Sequence, residues 1–443
     1  MLSTFQSLAR SSGAWAFVLV VGVVAAPCSA GAVELPQRIP ASSSNAALHY
    51  HRAILLMADV DLEQRALLKQ PIWELVHPEM SEAEVARIDA LLVASRHAVR
   101  AAIAGASQPH ADFGVDFRAY SAATRLPHVG LMQKLARVLT LHGLQKQSEG
   151  DWRQAAMVYL DVMHMGKHMS EQLTLAEAIE AVRILETGYY VLATWAAECP
   201  DAELVASTLS ALNVVVPEHL SPTTALGYES SLLLNGLTAI GDDYPEGAWA
   251  EAVLDLLDIT PEARDPETMR AAAVAAAIER GVPETVFESD AAFAAHLELL
   301  REVNQDYYEA MVQTVSLPTK EALEAGKRVF DEFSPKLKRL GDEGPYSPTN
   351  IVAYYATHEA EHHLLQIVLG LCAEKQGGLF PADLAGVTAR FGGMLPASPY
   401  DGQPASYETT ADRTGFSVSY PAFSAGGVDL PEVKFAFGTS KGE

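Results

Sequence analysis

The sequence predicts a mainly α-helical protein, in which an irregular domain of helical hairpins precedes a long helix and a small α+β module. Apolar residues recur at helical spacing over most of residues 45–375. Breaks such as Cys199-Pro200 and Asp265-Pro266 divide this region into segments of ordinary helix length. The last 65 residues differ, because they are rich in Gly, Pro, Ser and aromatic residues and contain short alternating runs.

Start signals place the individual helices. Asn45 is a predicted N-cap, and Ser81 with Glu84 is a predicted capping box, in which each side chain bonds to the backbone of the other residue. From such signals and the breaks that follow them, we expect helices over residues 45–57, 81–104, 131–147, 151–169, 173–196, 201–212, 223–240, 247–258, 267–280, 288–314, 319–340 and 349–375.

One helical hairpin has an additional pattern. Gly143 lies in its first helix, Gly150-Asp-Trp152 at its turn, and Ala155 and Tyr159 in its second helix. This pattern resembles one tetratricopeptide (TPR) unit, in which small residues let two helices cross closely. A TPR solenoid requires at least three repeats, and one clear copy is present. We therefore expect a TPR-like hairpin within an irregular helical domain.

The segment Asp342–Pro348, Asp-Glu-Gly-Pro-Tyr-Ser-Pro, is the predicted linker. It divides the chain into a helical domain over residues 33–341, the linker over 342–348, and a long helix with the α+β module over 349–443. Within this module, alternating runs predict short antiparallel strands at Ser406–Thr410, Gly415–Tyr420 and Val433–Phe437.

The C-terminal module has a recognisable order of motifs. A long helix is followed by Gly378-Leu-Phe-Pro, then by Met394-Leu-Pro-Ala-Ser-Pro-Tyr-Asp-Gly-Gln-Pro-Ala-Ser-Tyr407, and then by Gly415-Phe-Ser-Val-Ser-Tyr420. This resembles the C-terminal domain of type II secretion major pseudopilins, and the whole chain is similar to a group of uncharacterised exported bacterial helical proteins. A pseudopilin leader and fibre-forming N-terminal helix are not found here, so the resemblance implies a shared fold without the secretion function.

The N-terminal residues Met1–Ala32 have the features of a signal peptide. Arg10 precedes an apolar run, Ala14–Ala26, which is too short to cross a bilayer as a helix. Ala30-Gly-Ala32 fits an A-x-A cleavage site, so we expect cleavage after Ala32 or Ala30 and a periplasmic or secreted protein. An uncleaved anchor and lipidation at Cys28 are the alternatives.

Export leaves two cysteines, Cys199 and Cys372. In an oxidising compartment they can form one disulfide, and they can equally remain two buried free thiols. The sequence leaves both alternatives open.

Charge and motifs exclude several classes of function. The chain has 31 Lys plus Arg and 56 Asp plus Glu, for a net charge of −25. Such an excess repels nucleic acids and anionic membrane surfaces. No motif supports a serine hydrolase, a cysteine protease or a nucleotide-binding protein.

The strongest chemical motif is His358-Glu-Ala-Glu-His362, which fits H-E-x-x-H. Two histidines four residues apart share a helix face and can bind zinc, with Glu359 as general base on a metal-bound water. Glu374 and Asp383 are the nearest candidates for a third ligand. Against a zinc site, Glu361 places a charge where zinc proteases have an uncharged residue. The alternative is a buried histidine pair in the core.

Two other histidine clusters have weaker patterns. Met163, His164, Met165, His168 and Met169 offer soft ligands for copper, although a methionine-rich stripe is more often core filler. His49 and His51 lie on different sides of one predicted helix, which is typical of surface or packing residues.

The sequence therefore favours an exported binding or scaffold protein of the cell envelope, without a catalytic site and without a cofactor. Its expected partners are envelope proteins or peptides, because helical hairpins present concave surfaces to such ligands. The alternative is a zinc metallopeptidase with His358 and His362 as ligands and Glu359 as base.

Overall fold

The computed structural model describes residues 44–70, 72–75, 81–115, 126–216, 220–243, 250, 265–279, 281–340 and 346–438. The predicted fold class is confirmed: the chain is mainly α-helical, with a small strand-containing region at its C-terminal end. The predicted signal peptide and the expected helix over 247–258 lie outside the described residues. Throughout the described ranges, every helix is too short or too polar to cross a membrane.

The predicted helices that lie within the described residues are present, with shifts of up to four residues at their ends, and the short helices over Leu62–Leu67, Ile72–Leu75 and Ala385–Arg390 were not predicted. Their bounds are α1 Ala46–Ala58, α2 Leu62–Leu67, α3 Ile72–Leu75, α4 Glu82–Ala106, α5 Pro127–Ser148, α6 Trp152–Ser170, α7 Leu175–Glu198, α8 Ala202–Val215, α9 Thr223–Asp243, α10 Pro266–Glu279, α11 Asp290–Val315, α12 Thr319–Arg339, α13 Pro348–Ala373 and α14 Ala385–Arg390.

The predicted start signals act as caps. The Asn45 side chain accepts a hydrogen bond from the backbone N–H of Ala47 at 3.0 Å. Ser81 and Glu84 form the full capping box at the start of α4. Each cap satisfies backbone N–H groups that have no partner within the first turn of a helix.

The TPR-like hairpin is α5 and α6, which cross at Gly143. A Cβ atom on Gly143 would lie 2.4 Å from the ring of Tyr159, so only glycine allows this approach. The Tyr159 hydroxyl donates to the Gln147 side chain at 3.0 Å, which fixes the ring across the crossing. Helix α7 then packs against both helices of the pair.

Three hydrophobic clusters of buried residues stabilise the chain. The N-terminal cluster joins α1, α4, α5 and α6. A second cluster joins α9, α11 and α12 with the start of α7 and of α13. The central cluster joins α6, α7, α8 and α13 with the C-terminal strands. Helix α13 is buried on most of its surface because apolar residues surround it.

The C-terminal strands are β1 Ser406–Thr409, β2 Phe416–Tyr420, β3 Phe423–Ala425, β4 Val428–Leu430 and β5 Val433–Phe437. Strands β1, β2 and β5 form an antiparallel sheet in the order β1-β2-β5, and β3 with β4 forms a separate hairpin. The three predicted strands are present. The β3–β4 hairpin was not predicted, because strands of three residues have no alternation long enough to detect.

The described residues on both sides of the predicted linker share one core. The central cluster contains Leu192 and Val205 from the N-terminal side together with Leu364, Phe416 and Val418 from the C-terminal side. The division of the chain at residues 342–348 stays a prediction.

Candidate functional site

The H-E-x-x-H motif lies in the middle of α13, the most buried helix of the central cluster. His358 is 3% exposed and His362 is 2% exposed, and both face α7. Their burial follows from their spacing, because residues four apart share a helix face and this face also carries Tyr355, Leu365 and Leu369.

Tyr189 of α7 contacts both imidazoles. Its ring stacks on His358 with centroids 5.2 Å apart and lies 5.5 Å from the ring of His362. The Tyr189 hydroxyl is 3.3 Å from Nε2 of His358. Nδ1 of His358 and both ring nitrogens of His362 have no hydrogen-bond partner within the described part of the chain. We call Tyr189, His358 and His362 the histidine cluster.

Burial makes the histidine cluster neutral. Desolvation and, to a smaller extent, the neighbouring His362 lower the pKa of His358 to about 3. The pKa of His362 is likewise lowered to about 3, by burial and then by His363. Burial and the nearby Glu361 raise the pKa of Tyr189. At neutral pH the cluster therefore consists of uncharged rings.

The predicted general base does not join the two histidines. Glu359 lies on another side of α13, partly exposed, with Oε1 4.0 Å from Nε2 of His363. The suggested third ligands are also engaged elsewhere: Glu374 pairs with Arg390 at 2.5 Å, and Asp383 accepts from the backbone N–H of Ala385 at 2.9 Å. Among the residues with described positions, no group of three or more His, Cys, Asp or Glu side chains is arranged to hold a metal ion.

Carboxyl groups near the cluster also favour their uncharged form. Burial raises the pKa of Glu361, and the neighbouring Glu186 of α7 raises it further. The pKa of Glu186 is raised by burial as well, although Arg183 opposes that shift.

The methionine and histidine cluster of α6 is part of the core. Met163, Met165 and Met169 are fully buried. Nε2 of His168 bonds to the Gln108 carbonyl at 3.0 Å, and Nδ1 bonds to the Tyr50 hydroxyl at 2.8 Å. Since a carbonyl only accepts, Nε2 donates to it and Nδ1 accepts from the tyrosine. His168 therefore has no lone pair left for copper.

Both cysteines are buried free thiols. Burial raises the pKa of Cys372 to about 12 and also raises that of Cys199. A thiolate is the reactive form of cysteine, so neither side chain is suited to nucleophilic chemistry.

Sequence reasoning missed a buried hydrogen bond between two side chains of different helices. His128 of α5 bonds through Nε2 to Oε1 of Glu177 in α7 at 2.8 Å, and both side chains are buried. The ring of Phe113 stacks on His128 with centroids 4.3 Å apart. The two partners are 49 residues apart in the chain, so no local pattern connects them.

Sequence reasoning also missed a surface groove between α1 and α4. Its volume is about 490 Å³, and it is lined by His49, Arg52, Leu56, His97, Arg100, Ala101 and Ala104. We call these seven residues the α1–α4 groove.

The charge around the groove is opposite to that of the whole chain. Acidic residues are about one in eight overall, 56 of 443, yet none occurs in residues 46–58 or 90–106. No described acidic side chain forms an ion pair with Arg52 or Arg100. These two acid-free segments were the available sequence signal for the groove.

Comparisons of the chain with family models, with curated proteins and with solved structures find no match in any of the three.

Proposed function

We propose that this chain is an exported binding or scaffold protein of the cell envelope, and that it binds a partner in the α1–α4 groove. The observation that carries this proposal is the groove itself, an open cleft of about 490 Å³ with arginines from two different helices on its lining. The signal peptide predicted over residues 1–32 is the reason to place the protein outside the cytoplasm.

Rigid walls support the binding role. A Cβ atom on Gly105 would lie 2.6 Å from the Tyr50 ring, so α1 and α4 are in close contact beside the groove. Tyr50 is held in turn by His168, and the Asn45 side chain bonds to the backbone of Asp112. A cleft whose walls are fixed before binding loses less conformational entropy when a ligand enters.

Photo-cross-linking in cells tests this proposal. A photoreactive amino acid at Leu56, inside the groove, is expected to give a discrete adduct, and Ala104→Trp should abolish it by filling the cleft. The same amino acid at the exposed Val214 of α8 is the control. Absence of an adduct at Leu56, or an identical adduct at Val214, would overturn the proposal.

A zinc metallopeptidase is the second candidate, and one observation favours it. Three of the four ring nitrogens of His358 and His362 are buried without a hydrogen-bond partner in the described structure, which is costly unless something binds them. If zinc binds there, these two histidines are its ligands, and zinc would activate a water for peptide hydrolysis. Glu359 would then have to change its position to act as base.

Metal analysis of chelator-free protein tests the second candidate. A zinc site predicts about one zinc per chain, lost in His362→Ala, and a peptidase activity lost in Glu359→Gln. Zinc-free protein whose His362→Ala variant folds normally would remove this candidate. His142→Ala, at a partly buried histidine of α5, is the matched control.

A further inference from the structure

The α1–α4 groove has apolar side chains beside its charged ones. On α4, Val93 precedes His97, Arg100 and Ala104 at spacings of four, three and four, so all four share one helix face. Val93 is 66% exposed. This helix face therefore continues beyond the cleft to Val93, whose apolar side chain is in contact with water.

The other wall repeats this combination. Leu48 and Leu55 of α1 are 51% and 71% exposed, and they lie next to Arg52 at the rim of the groove, outside the lining residues His49 and Leu56. From His49 to Leu56 the wall spans seven residues, about 10 Å at 1.5 Å per residue, which is two helical turns. Each helix thus carries one arginine on the groove lining and exposed apolar side chains at the rim, within about two turns of that arginine.

We infer that the α1–α4 groove binds an acidic amphipathic segment of a partner protein, with its carboxylates on Arg52 and Arg100 and its apolar side chains on Leu48, Leu55 and Val93. This inference rests on the proposed function, for which it names the partner class. Guanidinium groups bind carboxylates through two parallel hydrogen bonds. Apolar positions recurring at three and four residues are the usual anchors of a helix in a groove.

Two other occupants fit the surface less well. A small anion such as phosphate satisfies the arginines but leaves the three exposed apolar side chains in water. A second copy of this chain in a symmetric contact would place its own Arg52 and Arg100 against these arginines, and like charges at close range repel each other. A short acidic amphipathic segment meets both the charge and the apolar surface.

Fluorescence anisotropy with designed peptides tests the inference on the purified protein. The probe is a fluorescein-labelled peptide with leucines at three- and four-residue spacing and glutamates beside them. It is expected to bind in the micromolar range, whereas a peptide with lysine in place of each glutamate should not bind. Serine in place of each leucine should weaken binding tenfold or more, and about 10 mM inorganic phosphate should not displace the probe.

Matched charge reversals locate the binding surface. Arg100→Glu should weaken binding tenfold or more, whereas Arg87→Glu changes the same charge on the same helix outside the groove and should stay within twofold. Equal effects of the two variants, equal binding of the serine peptide, or displacement by phosphate would each overturn the inference.

Cross-linking separates this inference from the proposed function. If an adduct forms at Leu56 and is lost in Ala104→Trp while the acidic peptide does not bind, the groove binds a partner of other chemistry and the inference is wrong. If neither the adduct nor peptide binding is observed, the proposed function fails with it.

Discussion

The histidine cluster and the α1–α4 groove place the same side chain in opposite surroundings. His358 and His362 fit the pattern of a catalytic motif, yet they are buried in the core and neutral, and three of their four ring nitrogens have no hydrogen-bond partner among the described residues. His49 and His97 belong to no motif, yet they line an open cleft beside two arginines. Residue type and spacing therefore do not identify a site, because the surrounding elements decide solvent access and charge.

Removing α13 is expected to have the largest effect. A chain ended after residue 344 loses the helix at the centre of the central cluster, including the buried Leu364, Ile367 and Leu371. We expect loss of the cooperative thermal transition, measured by circular dichroism, because the whole stability of such a protein is only about 5–15 kcal/mol. A chain lacking residues 439–443 is the control. An independently melting fragment would instead support the predicted linker at residues 342–348.

A histidine with a side-chain hydrogen-bond partner should respond differently from the histidine cluster. His128→Leu removes a buried hydrogen bond to Glu177, whose other oxygen still accepts from Thr174, so the free energy of unfolding should fall by about 1–3 kcal/mol in urea denaturation. Adding Glu177→Gln should recover part of this loss, since a neutral amide costs less to bury than an unpaired carboxylate. A loss below about 1 kcal/mol would mean that the pair is not formed.

His362→Leu should instead stabilise the protein. It removes two buried ring nitrogens that have no hydrogen-bond partner in the described ranges, and we expect a gain of about 1–2 kcal/mol at pH 7 in the same assay. A destabilised variant that also loses bound zinc would point to the metallopeptidase.

The gain from His362→Leu should grow in acid. The pKa of His362 is about 3 in the folded protein, below the ordinary value of 6.5, so the unfolded chain binds the proton more tightly. Above pH 6.5, His362 is neutral in both states and does not reduce the free energy of unfolding. As the pH falls from 6.5 toward 3, the unfolded chain takes up a proton at His362 that the folded chain does not, so the wild-type protein loses stability. The difference in free energy of unfolding between His362→Leu and the wild type should therefore increase by about another 2 kcal/mol between pH 7 and pH 5. A pH-independent difference between the two proteins would contradict the burial of this ring.

Charge reversal in the groove should have the smallest effect on stability. Arg52 and Arg100 are exposed and form no ion pair with a described acidic side chain, so Arg52→Glu and Arg100→Glu should each change the free energy of unfolding by less than about 0.5 kcal/mol. Thermal melting checks this expectation. A large loss would show that these arginines support the fold, and it would remove the charge reversals as a test of binding.

Local patterns predicted most of the secondary structure. The caps at Asn45 and Ser81 and the breaks at proline act within a few residues, and the described helices begin and end close to them. The close crossing at Gly143 was also predictable, because a glycine opposite a tyrosine has a known packing pattern. The β3–β4 hairpin escaped detection because its strands have only three residues each.

Partners distant in the chain were not predictable. The bond between His128 and Glu177, the contact of Tyr189 with His358, and the burial of Glu361 beside Glu186 each join residues from different helices. The α1–α4 groove likewise combines two helices whose separate sequences show only an absence of acidic residues.

By itself, the sequence determined that this protein is acidic and mainly helical, with strands near its C-terminus, because charge, periodicity and capping depend on nearby residues. Only the tertiary structure decided that the two histidines of H-E-x-x-H are buried in contact with Tyr189, and that Arg52 and Arg100 line the same cleft. Burial and the distance between charges depend on which helices pack together, and the free energy of that packing is spread over the whole core.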